Sequence, residues 1–243
     1  MARRTRKEAL ETRNRILDAA ERVFSRRGVS RTSLDDVARA AGVTRGAIYW
    51  HFKDKADLFA AMLGRVALPM EEMLQRTSEA AGDDPLAHVR GRSVAVLRKV
   101  TGDARARRVF DVVAHKCEYV DEMAAVRRRI NGMRANCLAQ LESGFRNAIR
   151  RGLLPASVEP RAAAVGLHAL VDGLITNWLI DPKYFANAHE AEQIVDRYLE
   201  GLGVRTQPAA RKGAKRRDDG EARGNGRAPA PRARRRPTIS EPG

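Results

Sequence analysis

The sequence predicts an all-α protein, and three observations carry that reading. Apolar residues recur at helical spacing through most of residues 6–204. No run of alternating β-branched residues is long enough to pair into a sheet. Glycines, and Ser, Thr or Asp residues placed as caps, punctuate the pattern where helices would stop and start.

The first helix is expected to begin at a capping box, Thr5 with Glu8. It continues through Leu10, Ile16, Leu17, Ala20, Val23 and Phe24, and stops at Gly28, with Arg13, Arg15, Arg22 and Arg26 on its opposite face. A short second helix follows Thr32 and Ser33, takes Asp35 and Asp36 into its first turn, where the positive dipole end favours carboxylates, and ends at Gly42. Thr44 caps a third helix over 45–52 after a turn of only Gly42 and Val43. Two short helices joined so tightly form a helix-turn-helix.

Asp54 caps a fourth helix with apolar Leu58, Phe59, Met62, Leu63, Val66, Met70, Met73 and Leu74. Pro69 removes one backbone bond within it, which predicts a kink or a break over 66–70. Further helices are expected over 85–100, 105–119, 122–151, 160–180 and 188–202. The apolar stretch 162–180 contains His168, Asp172 and Asn177, so it reads as a buried helix rather than a membrane span. From Arg205 the chain is largely Arg, Pro, Gly and Ala and is expected to be a disordered basic tail. The expected domains are thus 1–53, 54–204 and 205–243.

Of the 243 residues 43% are hydrophobic, enough to fill a core, and 46 Lys and Arg stand against 30 Asp and Glu, a formal +16. The excess sits at the two ends: 13 basic against 6 acidic residues in 1–53, 21 against 20 in 54–204, and 12 against 4 in 205–243. That distribution suits contact with a polyanion at the ends and an electrically ordinary middle. A nonspecific DNA-compacting protein has no need of such a middle. Glu8 and Glu11 and the lack of a following apolar run exclude a signal peptide, so the chain is expected in the cytoplasm. Cys117 and Cys137 fit no metal spacing and read as packed thiols, with a redox switch as the alternative. No His or Cys cluster, glycine-rich phosphate loop or nucleophile elbow points to a metal, a cofactor or an enzyme.

Within the helix-turn-helix, Val37, Ala38, Ala41, Val43, Ile48 and Phe52 form an apolar seam against the first helix. Arg45, Gly46, Ala47 and Tyr49 then face outward. A recognition helix enters the major groove with its N-terminal residues at the base edges, where Arg45 can pair bidentately with a guanine. Gly46 and Ala47 allow close approach, while Thr44, Tyr49 and Lys55 suit phosphate. The candidate DNA interface comprises Ser33, Leu34, Asp35, Asp36, Val37, Ala38, Arg39, Ala40, Ala41, Gly42, Val43, Thr44, Arg45, Gly46, Ala47, Ile48, Tyr49, Trp50, His51, Phe52 and Lys55.

The runs SLDDVARAAGV and TRGAIYWHFKDK resemble the DNA-binding region of the TetR family of bacterial regulators. RRVFDVVAHKCEYVDEM, RRGLLP and LVDGLITNWL resemble the sensor domain of the AcrR and TtgR type within it, the repressors of multidrug efflux pumps. The resemblance covers residues 5–204 and implies a homodimer of nine-helix subunits with a C-terminal ligand-binding and dimerisation domain. Such a dimer binds an inverted-repeat operator and leaves it when a small amphipathic or cationic effector binds. An acyl-CoA- or fatty-acid-sensing regulator is the alternative. The resemblance also implies an effector cavity at Val66, Val89, Ser93, Val96, Phe110, Ala114, Leu141, His168, Val171, Asp172 and Thr176. Asp172 is the informative one, since a lone carboxylate in an apolar helix must be paired or meet a ligand. His115 and His168 read as satisfied core residues. Two stripes, Leu167, Leu170, Leu174 and Trp178, and Ile194, Tyr198 and Leu202, are expected to form the dimer's four-helix bundle.

Overall fold

A computed structural model describes residues 6–119 and 121–203; Thr5, from the expected first cap, and the basic tail from Arg205 lie outside them. Among the described residues there are nine α-helices and no strand. They are α1 (Arg6–Arg27), α2 (Leu34–Ala41), α3 (Arg45–His51), α4 (Lys55–Ala80), α5 (Pro85–Gly102), α6 (Ala104–His115), α7 (Ala124–Arg150), α8 (Pro160–Ile180) and α9 (Ala188–Gly201), with a 3-10 turn at Asp121–Met123 before α7.

The local signals account for most boundaries. Ser33 Oγ accepts the Asp36 N–H and the Asp36 carboxylate accepts the Ser33 N–H, a reciprocal cap on α2. Gly42 ends α2 at φ 63°, a left-handed conformation that glycine adopts without strain. Thr44 Oγ1 accepts the Ala47 N–H at the head of α3, and Asp54 Oδ1 accepts the Asp57 N–H at the head of α4.

Three expectations are corrected. Of the kink or break expected at Pro69, the break is absent: α4 continues to Ala80. The proline ring lies on the exposed side, where water can take the Arg65 carbonyl that loses its donor. α6 ends at His115 rather than 119. Beyond it the Lys116 carbonyl accepts the Val29 N–H at 2.8 Å, and the Tyr119 hydroxyl donates to the Val113 carbonyl at 2.9 Å, so tertiary bonds satisfy groups that another helical turn would have used. Of the stripe Leu167, Leu170, Leu174 and Trp178, Leu170 is half-buried and the other three are buried inside the chain's own core, where they are not available to a partner. Tyr198 is occupied within the chain as well, donating to the Ala163 carbonyl.

Two apolar clusters hold the fold. The first joins Ile16, Leu17 and Phe24 of α1 to Val37, Ile48 and Phe52 of the helix pair, and continues into Phe59 and Met62 of α4 and Val109 and Val112 of α6. The second gathers Val89, Leu97, Leu141, Phe145, Leu167, Leu174 and Val195 from α5, α7, α8 and α9. Phe110 packs against both. The helix pair is thus joined through α1 to α4 and α6, so that movement of those helices reaches it by way of α1. α8 is long and apolar enough to cross a membrane by composition, yet it packs against α7 and α9 and buries one side in the second cluster.

Candidate DNA interface and effector site

The structure divides the expected DNA-contacting residues into a scaffold and a surface. Leu34, Val37, Ala38, Ile48 and Phe52 are buried in the first cluster and hold the helix pair rather than face outward. This corrects their inclusion in a contact surface: the period that makes each helix amphipathic points these side chains at α1. Asp35, Asp36, Ala41, Val43, Ala47, His51 and Lys55 are half-buried. Ser33, Arg39, Ala40, Gly42, Thr44, Arg45, Gly46, Tyr49 and Trp50 are exposed.

Arg45 is positioned, not loose. Its Nε lies 3.4 Å from Asp35 Oδ1, and its guanidinium rests over the Tyr49 ring at 5.7 Å from the centroid. Trp50, 73% exposed, meets the His51 ring edge-on. A Cβ added at Gly46 would meet nothing within 4 Å, so the space beside Arg45 is open to a groove wall. Lys55 differs from expectation, being paired at 2.7 Å with Glu122 in the 3-10 turn and only 16% exposed at its side chain. Its ammonium is therefore neutralised from the sensor side in this state.

Two features of the reader were missed from sequence. Arg15, assigned to the solvent face of α1, donates to the Ala41 and Gly42 carbonyls at 2.9 and 3.0 Å and so clamps the turn between α2 and α3. Glu21, 1% exposed, accepts bonds from Arg65 of α4 and Arg105 of α6, with Arg108 3.5 Å away. Asp18 joins the same cluster: burial works against its charge, but Arg65 and Arg105 hold its carboxyl below the usual range. A buried glutamate on an amphipathic helix leaves no mark in periodicity; the signal would have been its place on the apolar side of α1, beside Leu17 and Ala20.

The expected effector residues do not all converge. Val66, Val89, Ser93 and Leu141 are buried, and Val96, Phe110, His168, Val171 and Thr176 are half-buried. Ala114 and Asp172 are exposed. The acid on α8 therefore stands in solvent, and the nearby Asn177 amide donates to the Gly173 carbonyl. Burial lowers the pKa of His168, and His115 Nδ1 lies 3.1 Å from Asp111. Two adjoining clefts of about 460 and 470 Å³ lie between α4 and α5, lined by Met73, Thr77 and Lys99 in common, and contain none of the expected effector residues. Cys117 and Cys137 are unpaired, and burial raises both thiols, Cys117 to about 11, which disfavours the reactive thiolate.

A helix-turn-helix seated on a helical body, with Arg45 exposed at the head of its recognition helix, defines a DNA-binding regulator. Residues 16–62 match the model of bacterial regulatory proteins of the tetR family, and residues 84–204 match the C-terminal region of MAATS-type transcriptional repressors. The chain belongs to the TetR family, whose members are transcriptional regulators and not enzymes. It is 43% identical over 213 residues to the regulator TtgR of Pseudomonas putida, covering 87% of this chain and all of that one. The crystal structure of NalD, the secondary repressor of the MexAB-OprM multidrug efflux pump in Pseudomonas aeruginosa, is 36% identical, with a TM-score of 0.75 over 83% of this chain and all of that one. The SmeT–triclosan complex is 32% identical, with a TM-score of 0.68 over 79% of this chain and 91% of that one.

Proposed function

We propose that this protein is a cytoplasmic, homodimeric repressor of a multidrug efflux operon that leaves an inverted-repeat operator when a small amphipathic molecule binds its C-terminal helices. The observation that supports it most is the junction beneath the reader. α1 is bonded through Glu21 and Asp18 to α4 and α6, so a ligand that shifts either helix acts on the orientation of α3. A ligand changes DNA affinity only by its differential affinity for two states, and about 1–3 kcal/mol of coupling gives roughly 5- to 150-fold release. The basic residues beyond 204 add phosphate contacts that do not discriminate sequence.

The second copy meets the outward face of α8, where Ala162, Val165, Ala169 and Asp172 are exposed at helical spacing. On that reading Asp172 lies at the subunit boundary. Electrophoretic shift of the DNA flanking its own coding sequence, with a panel of efflux substrates added, tests the reading. Release by several structurally unrelated amphipaths is expected, and release by acyl-CoA alone would favour the lipid-sensing alternative.

A further inference from the structure

Most arginines that α5 and α6 turn toward the body are matched by a protein group. Arg90 and Arg98 of α5 grip Asp196 and Glu192 of α9, and Arg105 of α6 grips Asp18 and Glu21. Arg92 is the exception. It is half-buried, and among the described residues it has no ion pair; its one hydrogen bond is a long one, from Nη1 to Ser78 Oγ of α4 at 3.4 Å. Glu71 of α4 and Cys137 of α7 act on it only at a distance, and burial lowers its pKa without removing its charge. Apart from that bond its N–H groups have no acceptor among the described residues and are not enclosed, so they stand open to water or to an anion.

Its surroundings suit an amphipath. Arg92 shares a face of α5 with Val89 and Val96, which lie three and four positions away, and Cys137 shares a face of α7 with Leu141. Val96 is half-buried beside the charge, and Val89 and Leu141 lie behind it in the second cluster. Next to Cys137, residues 131–136 of α7 are all exposed, more than one full turn, so no neighbouring helix covers α7 at that height. The charge accordingly faces an opening rather than a sealed core.

We propose that Arg92 receives the anionic end of the effector, whose apolar body lies against the half-buried Val96 with Val89 and Leu141 packed behind it, so that the inducing class is an amphipathic acid such as a sulfonate, carboxylate or phenolate. This rests on the reading of the chain as an effector-released repressor, and it is specific to the charge of the ligand. A planar guanidinium meets two oxygens of such a group at once, which a point charge on the surface does not.

The test uses the full chain and two fluorescent probes of one skeleton, 1-anilinonaphthalene-8-sulfonate and N-phenyl-1-naphthylamine, which lacks the sulfonate. The sulfonate is expected to bind about tenfold more tightly than the neutral probe. Arg92→Gln should abolish that preference while leaving the neutral probe's affinity within about twofold, and Arg92→Lys should retain part of it. Glu71→Gln, which removes the nearest competing anion, should strengthen sulfonate binding, and Arg197→Gln, an exposed arginine elsewhere, should change nothing. Equal affinity of the two probes for the wild type, an unchanged preference in Arg92→Gln, or an equal loss in Arg197→Gln would overturn the proposal. Operator binding is followed in parallel: Arg92-dependent sulfonate binding that fails to release DNA would uphold the anion site and overturn the repressor reading instead.

Discussion

Lys55 Nζ lies 2.7 Å from Glu122 Oε1, so the first residue of α4 is tied to the 3-10 turn that leads into α7. The lysine that follows the recognition helix is thereby withheld from phosphate by a carboxylate of the sensor region. Glu122→Gln should free it, raising affinity for operator and random DNA alike and steepening the dependence of log K on log salt by about 0.9. Fluorescence anisotropy titrations between 50 and 200 mM salt, at about those limits, measure both quantities. An unchanged slope would mean that Lys55 never reaches the backbone.

Arg45 is held between Asp35 and the Tyr49 ring at the head of α3, which preorganises it for a base edge. Arg45→Ala should cost about 1–3 kcal/mol of operator affinity and relax the preference at one position of each half-site. Binding selection from a randomised operator checks this. Sequence preference identical to that of the wild type would assign Arg45 to the phosphates.

The Asp36 carboxyl is held at about 2, against an ordinary 3.8, first by the Ser33 hydroxyl, next by the Ser33 backbone N–H, and then by Arg39. Its folded pKa is depressed, so the stability it contributes is complete above about pH 4 and is lost as pH falls through about 2. Wild type and Asp36→Asn should differ in denaturant midpoint at pH 5 and converge toward pH 2. A constant difference would mean that the charge of Asp36 is immaterial and only its shape counts.

The helix-turn-helix was legible because its signals are local. Ser33, Gly42, Thr44 and Asp54 act on backbone groups three or four residues away, and a linear reading finds them. The end of α6 was not, since it depends on the Lys116 carbonyl meeting Val29 from a distant loop. Leu167, Leu174 and Trp178 were legible as a stripe and misassigned as a dimer surface, because periodicity says that a face is buried and not what buries it. Asp172 is exposed on the single chain for the converse reason: an acid in an apolar helix also marks the side that the chain leaves uncovered. Arg92 gave no signal at all, since its distinction is the lack of a carboxylate that only the fold could have supplied.

Glu21 is the one carboxylate almost wholly enclosed where α1 meets α4 and α6, and the Arg65 and Arg105 guanidiniums compensate it. Removing one member of such a cluster strands the rest: Glu21→Ala leaves Arg65 and Arg105 with Asp18 alone, and the loss should be about 3 kcal/mol of folding stability. Glu21→Gln keeps the shape and some hydrogen bonds, and should lose less. If the cluster also transmits effector binding, Glu21→Gln should bind operator with near-normal affinity yet show a smaller ratio of affinities with and without effector. Urea unfolding gives the first quantity and paired DNA titrations the second. A loss below about 0.5 kcal/mol in Glu21→Ala would mean that solvent reaches the partly exposed Arg105 and Arg108 well enough to replace the acid, as it does for surface pairs. An unaltered affinity ratio in a folded Glu21→Gln protein would leave the apolar contacts of Phe24 and Phe59 as the path from α4 to the reader.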